Sequence, residues 1–112
     1  MIAVIFEVEP AEGMKDIYLQ MAAELVEYLK QVDGFISIER FQSLTSGGKL
    51  LSLSFWRDEE AVSAWRNEMH HREAQMAGRK SVFSGYRLRV AHVMRDYGLH
   101  ERTQAPSDAL LI

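Results

Sequence analysis

The segment from Ile2 to Val8 reads Ile-Ala-Val-Ile-Phe-Glu-Val, β-branched and apolar on both of its alternating faces. Successive side chains of a strand point to opposite sides, so a strand of this kind belongs inside a sheet and needs cover above and below. Leu50 to Trp56 has the same character: Leu51, Leu53 and Phe55 stand in one phase, Leu50 and Trp56 in the other. Two interior strands within 112 residues, the size of one domain, point to a single sheet.

The rest of the chain supplies the other elements. Pro10 closes the first strand, and Gly13 leads into a segment where Met14, Ile17, Tyr18, Met21, Ala22, Leu25, Val26 and Leu29 recur at helical steps. Asp33-Gly34 ends that helix. Phe35 to Leu44 then alternates as a strand, and Thr45-Ser46-Gly47-Gly48 turns it into the next, forming a hairpin. Asp58 is placed to cap a second helix with Glu59 and Glu60 in its first turn, followed by Ala61, Val62, Trp65 and Met69. Around Met69-His70-His71 the apolar spacing loses its period, which predicts a bend or two short helices. After Gly85, Tyr86 to Val93 alternates as a fourth strand, with Leu88, Val90, His92 and Met94 on one face and Arg87, Arg89, Ala91 and Val93 on the other. Residues 1–98 thus read as the domain and 99–112 as an extended or mobile tail, polar around Pro106 and apolar at Ala109-Leu110-Leu111-Ile112.

Strand, helix, strand, strand, helix, strand is the ferredoxin-like βαββαβ order of the α+β class. Right-handed crossovers place the first and third strands at the centre of a four-stranded antiparallel sheet, in agreement with their apolar character. Two helices cover one face only, although the first strand offers Val4, Phe6 and Val8 to one side and Ala3 and Ile5 to the other, and the third places Leu51, Leu53 and Phe55 opposite Leu50 and Trp56. The simplest cover is the same face of a second copy, so a homodimer packed sheet on sheet is expected.

Composition narrows the function. A net charge of −3 without a Lys/Arg stripe argues against a nucleic-acid partner. With no cysteine there is no thiolate chemistry, disulfide or thiolate-bound metal. No apolar run reaches the roughly 20 residues of a membrane span, and the start lacks the basic segment of a secretory signal. A soluble, cytoplasmic protein with no membrane partner is expected.

Ser54-Phe55-Trp56-Arg57-Asp58-Glu59-Glu60-Ala61-Val62-Ser63-Ala64-Trp65-Arg66 resembles the strand-to-helix junction of antibiotic biosynthesis monooxygenase domains. The spacing continues through His71-Arg72-Glu73-Ala74-Gln75, Gly78-Arg79 and Phe83 to Tyr86-Arg87-Leu88, and Val32-Asp33-Gly34-Phe35 is similar to the family's helix-to-strand corner. The resemblance implies a dimeric α+β barrel and activities that range from cofactor-free oxidation of phenols and quinols to oxidative haem degradation.

A cofactor-free oxygenase needs a base, a partner for the substrate anion, and an apolar pocket. The candidates are His71, or its neighbour His70, as base, Trp65 and Phe83 as walls, Tyr86 as hydrogen-bond donor, and Arg87 or Arg89 as anion partner. Each has a plainer role: Trp65 as core, the histidines as solvated or capping groups, Tyr86 as edge-strand packing. His70 and His71 point about 100° apart on a helix and cannot chelate one metal together, so no metal is expected. His92 reads as a hydrogen-bonded interior histidine. In the haem-degrading branch the resemblance places the iron-binding histidine at Gln75 and the first-strand asparagine near Phe6. Both depart from that pattern. The leading expectation is a cofactor-independent monooxygenase acting on a small aromatic, phenolic or quinol compound with dioxygen. A haem-binding or haem-degrading protein and a non-catalytic small-ligand-binding dimer are the alternatives.

Overall fold

The fold is taken from a computed structural model that describes the backbone of residues 1–75 and 82–112 and the side chains of residues 1–69 and 82–112. Within them lie β1 (Ile2–Pro10), α1 (Lys15–Leu29), β2 (Phe35–Gln42), β3 (Leu50–Trp56), α2 (Glu59–Gln75) and β4 (Phe83–His92). The sheet has the order β2-β3-β1-β4 and every pairing is antiparallel, so the two most apolar strands are central. This is the ferredoxin-like arrangement.

Register sorts the faces. Ile2, Val4, Phe6 and Val8 of β1 stand opposite Trp56, Ser54, Ser52 and Leu50 of β3, and on the other side opposite His92, Val90, Leu88 and Tyr86 of β4. This is the face beneath the helices. Its core forms two clusters: Ile2, Val4, Leu29, Trp56, Ala61 and Val62 at one end, and Val8, Tyr18, Ala22, Leu50 and Val82 at the other. Between them β3 contributes two buried serines, Ser52 and Ser54. The indole Nε1 of fully buried Trp56 donates to Ser54 Oγ at 2.9 Å, satisfying a polar group that burial would otherwise strand.

Neither described helix lies over the opposite face. Ile5, Leu51, Leu53 and Phe55 are half-buried there, and Phe41 is exposed. A charged margin runs along it, where Glu7 Oε2 lies 3.4 Å from Lys49 Nζ and 3.5 Å from Arg89 Nη1. A shallow depression of about 290 Å³ between the β2–β3 hairpin and Glu7 opens on this side.

Several boundaries differ from the expectation, each for a local reason. β1 runs on to Pro10, with its pairing to β4 shifting after Glu9; Ser84 Oγ donates to Glu9 O at 3.0 Å across the shift. Proline, lacking an N–H, is tolerated at such an irregularity. β2 stops at Gln42 because the Ser43 hydroxyl folds back to accept from the N–H groups of Thr45 and Ser46. α2 is one helix through Met69, His70 and His71, not a bent pair. It holds neither Gly nor Pro from Glu59 to Gln75, so loss of apolar period does not interrupt its backbone hydrogen bonds.

The segment after β4 folds on itself. Arg102 donates to Gly98 O at 3.1 Å and to Ala109 O at 2.6 Å, with its guanidinium 5.1 Å from the Tyr97 ring centre. Glu101 accepts from the hydroxyl and N–H of Thr103, which hold its pKa below the ordinary value. The radius of gyration is 16.1 Å, against about 13 Å for a compact chain of this length. Leu99, Leu110, Leu111 and Ile112 are exposed.

Candidate functional site

α2 meets the sheet through its first two turns. Ala61 and Val62 are buried, and Trp65, half-buried, stacks on Trp56 with ring centres 6.1 Å apart and planes at 27°. The helix start is fixed by charge and geometry together. Asp58 Oδ1 accepts from Ala61 N at 2.9 Å, and Asp58 Oδ2 from Arg57 Nε at 3.1 Å. The Ala61 N–H first, and the Arg57 guanidinium second, hold the Asp58 carboxyl below its ordinary pKa. Arg57 also grips both oxygens of Asp33 at 3.2 Å, which raises its own pKa, and its N–H donates to Gly34 O at 2.7 Å. The two corners that flank the helices are therefore one unit, and Trp65 rides on it.

The helix side of β4 is left open. Tyr86, Leu88 and Val90 are 65%, 50% and 45% exposed, although they stand beside Val8, Phe6 and Val4 on the face that carries the core. Three consecutive inward-phase side chains lacking cover make an apolar trough along β1 and β4. Aromatic rings close one end: Phe6 lies 5.5 Å from Tyr86 and 6.1 Å from Phe83, and Phe83 lies 5.7 Å from Tyr18. Phe35, Trp56 and Trp65 form a second aromatic group at the other end of the face.

The structure thus groups Phe83 and Tyr86 at the trough, with Trp65 on the same face of the sheet. It separates the arginines from them. Arg87 and Arg89 pair with Glu7 and Ile5, on the helix-free face, where Arg89 meets Glu7. Within one copy Trp65 and Arg89 cannot line the same pocket, because successive residues of a strand point to opposite sides. The side chains of His70 and His71 lie outside the described residues. His92 is exposed at the end of β4, not interior, and stands beside Ile2 on the edge strand.

Sequence reasoning missed Arg40. It lies in the helix-facing phase of β2, opposite Ser52, with Ile38 and Gln42 on either side. Strand alternation alone could have marked it, as a charge in the row that Ile38 shares with the core.

No cluster of His, Asp and Glu able to hold a metal occurs among the described residues, and none of their helices is long and apolar enough to cross a membrane. Gln75, at the position where the resemblance to haem-degrading relatives expects an iron-binding histidine, is a primary amide and a poor axial ligand, and its side chain lies outside the described residues.

A one-sheet α+β domain with two helices on one face and a row of exposed apolar side chains along its edge strand is a domain of the ferredoxin-like class. The chain belongs to the antibiotic biosynthesis monooxygenase family, whose model matches residues 1–77. It is 46% identical over 93 residues to a jasmonate monooxygenase of Pyricularia oryzae, a match covering 83% of this chain and 43% of that protein. The chain therefore spans less than half the length of that relative. Among solved structures it is similar to Rv0793 of Mycobacterium tuberculosis, with a TM-score of 0.72 and 16% identity over 87% of this chain and 98% of that one. The haem-degrader MhuD of the same organism, solved with two haems in its active site, gives a TM-score of 0.63 at 18% identity over 88% and 100%. At these identities the structures establish a shared fold.

Proposed function

We propose that the chain is a cofactor-independent monooxygenase that oxidises a small apolar ring compound with dioxygen. Its substrate is a molecule that ionises readily: a phenol, a quinol, or a cyclic ketone of the jasmonate type. Support for the monooxygenase class comes from the family and from the 46% identity to an enzyme named for jasmonate. The observation that carries the site is the uncovered row Tyr86, Leu88 and Val90, with Trp65 on the same face. In this reading a base removes a substrate proton, the apolar trough excludes water, and the resulting anion reacts with dioxygen. For a methylene activated by a carbonyl, as in the keto tautomer of a phenol or beside the ring ketone of a jasmonate, the balance closes without a cofactor: one oxygen atom of O₂ becomes the new carbonyl and the other leaves as water with both methylene hydrogens.

His71 is the proposed base, and Trp65, Phe83 and Tyr86 the proposed walls. His70 remains the alternative base. Arg87 and Arg89 belong to the helix-free face, which we assign to contact with a second copy. The domain at 1–98 and its arm at 99–112 are part of the same proposal.

The test is oxygen uptake by the purified chain with jasmonate and a panel of phenols and quinols, followed by mass spectrometry under ¹⁸O₂. Product carrying one labelled oxygen, abolished in His71→Ala, is the expected result. Binding of these compounds without any uptake would leave a non-catalytic ligand-binding protein. A Soret band on adding hemin, lost in His71→Ala, would move the assignment to the haem branch.

A further inference from the structure

We infer that Arg40 is an anion-binding residue, placed to receive the carboxylate of an apolar acid held beneath α1. Its Nη2 donates to Ala22 O over 3.5 Å, a long hydrogen bond, while its Nε is buried with no partner. No described carboxylate forms an ion pair with it. The contrast with other arginines is sharp: Arg57 holds two aspartates and Arg102 two carbonyls. A guanidinium offers five N–H donors in a planar fork suited to a carboxylate, and a buried donor left unmade costs its full desolvation. The fold keeps such a group in a row where Ile38 packs into the core. A ligand anion would supply the missing partner.

The surroundings fit an amphipathic acid. Arg40, Ser52, Phe6 and Leu88 are direct register partners, forming one strip across the whole sheet from β2 to the open trough on β4. The strip spans roughly 14 Å, three inter-strand spacings. Ser52 on this strip is small, with Ser54 beside it, where Leu50 and Trp56 occupy the same phase on either side. A carboxylate at Arg40 would leave the apolar body over Phe6 and Leu88.

The inference rests on the monooxygenase reading for the choice of probe, and its test is binding. Jasmonate and methyl jasmonate share a carbon skeleton and differ in the charge at one end. Calorimetric titration of the full chain should show the acid bound at least about tenfold more tightly than the ester, as a charge-assisted pair implies. Arg40→Met should weaken the acid on the order of ten- to hundredfold and leave the ester within about twofold. Thermal melting without ligand should show this variant folded. If it does not fold, Arg40→Lys serves instead, and should keep a reduced preference for the acid. Equal binding of acid and ester by the wild type, or unchanged acid binding in Arg40→Met, overturns the inference. Failure of both probes to bind also overturns it, whereas oxygen uptake with a phenol or quinol would still uphold the enzyme reading.

Discussion

Gly34→Ala tests whether the joined corners position α2. Gly34 has φ of +92°, a region that non-glycine residues occupy at a cost of about 1–2 kcal/mol. An added Cβ would lie 2.7 Å from the Ala61 Cβ and 3.3 Å from the Arg57 Cζ. The arginine can swing aside, but Ala61 belongs to the first turn of α2, so the helix itself must move. Overpacking of this kind costs about 1–3 kcal/mol. The sum, about 2–5 kcal/mol, corresponds to a fall in melting temperature of roughly 8–20 °C at about 4 °C per kcal/mol for a chain of this size. Urea denaturation followed by tryptophan fluorescence would measure it. The cycle with Ala61→Gly separates the two causes, since glycine at 61 removes the close contact and leaves the backbone strain. A coupling of about 1–3 kcal/mol in favour of the double variant is expected. Near-ultraviolet circular dichroism should also change, because the stacked pair Trp56–Trp65 shifts with the helix. A loss below about 1 kcal/mol together with zero coupling would refute the claim that this contact sets the helix position.

Two further outcomes follow from the same structure. The Asp58 carboxyl is held below its ordinary pKa, so protonating it costs the folded state more than the unfolded one. Its contribution to stability is complete above the ordinary value of about 4 and fades as pH falls through the lower folded value. Asp58→Asn retains an acceptor for the Ala61 N–H but does not titrate. It should be less stable than wild type at pH 7, with the gap closing below about pH 4, as read from urea midpoints across that range; a gap independent of pH would refute the assignment. On the helix-free face, Leu53→Glu places a charge in the middle of the proposed contact between copies. Sedimentation velocity at micromolar protein should show wild type as a dimer and the variant as the 12.9 kDa monomer. A wild type that sediments as the monomer rules out the dimer.

Strand phase made most of the fold readable. Val4, Phe6 and Val8 against Ala3 and Ile5 announced a central strand with two apolar faces, and Asp58 announced the start of α2 by its own chemistry. What the pattern lacked was the distance between a helix and the sheet beneath it. Leu88, Val90 and His92 share the phase of core residues, yet they lie on the edge strand and are exposed. The arginines mark a different limit. Arg89 was a candidate anion partner by its charge, but register places it beside Ile5 and away from Trp65. Arg40 was visible in phase with Ile38, but its unpaired Nε depends on a carbonyl of α1 and on the absence of any described carboxylate nearby, facts of tertiary packing alone.

The split core bears on which role the helix-facing side serves. A domain selected for stability alone would continue the apolar row of β3 from Leu50 to Trp56, because each buried aliphatic side chain in place of a serine adds about 1.5–3 kcal/mol of burial. Here Ser54 has a structural reason, the Trp56 indole hydrogen bond. That reason does not extend to Ser52, which lies between Arg40 and Phe6 at the centre of the strip. A small polar residue flanked by an unsatisfied cation and an aromatic ring weakens the core where a ligand would be most sheltered from water. Proteins near a stability threshold retain such local losses where binding requires them. Under the proposed function, the same side of the sheet serves as both folding core and recognition surface. The apolar clusters at its two ends hold the sheet and helices together, and the band between them is buried but carries two serines in place of aliphatic side chains.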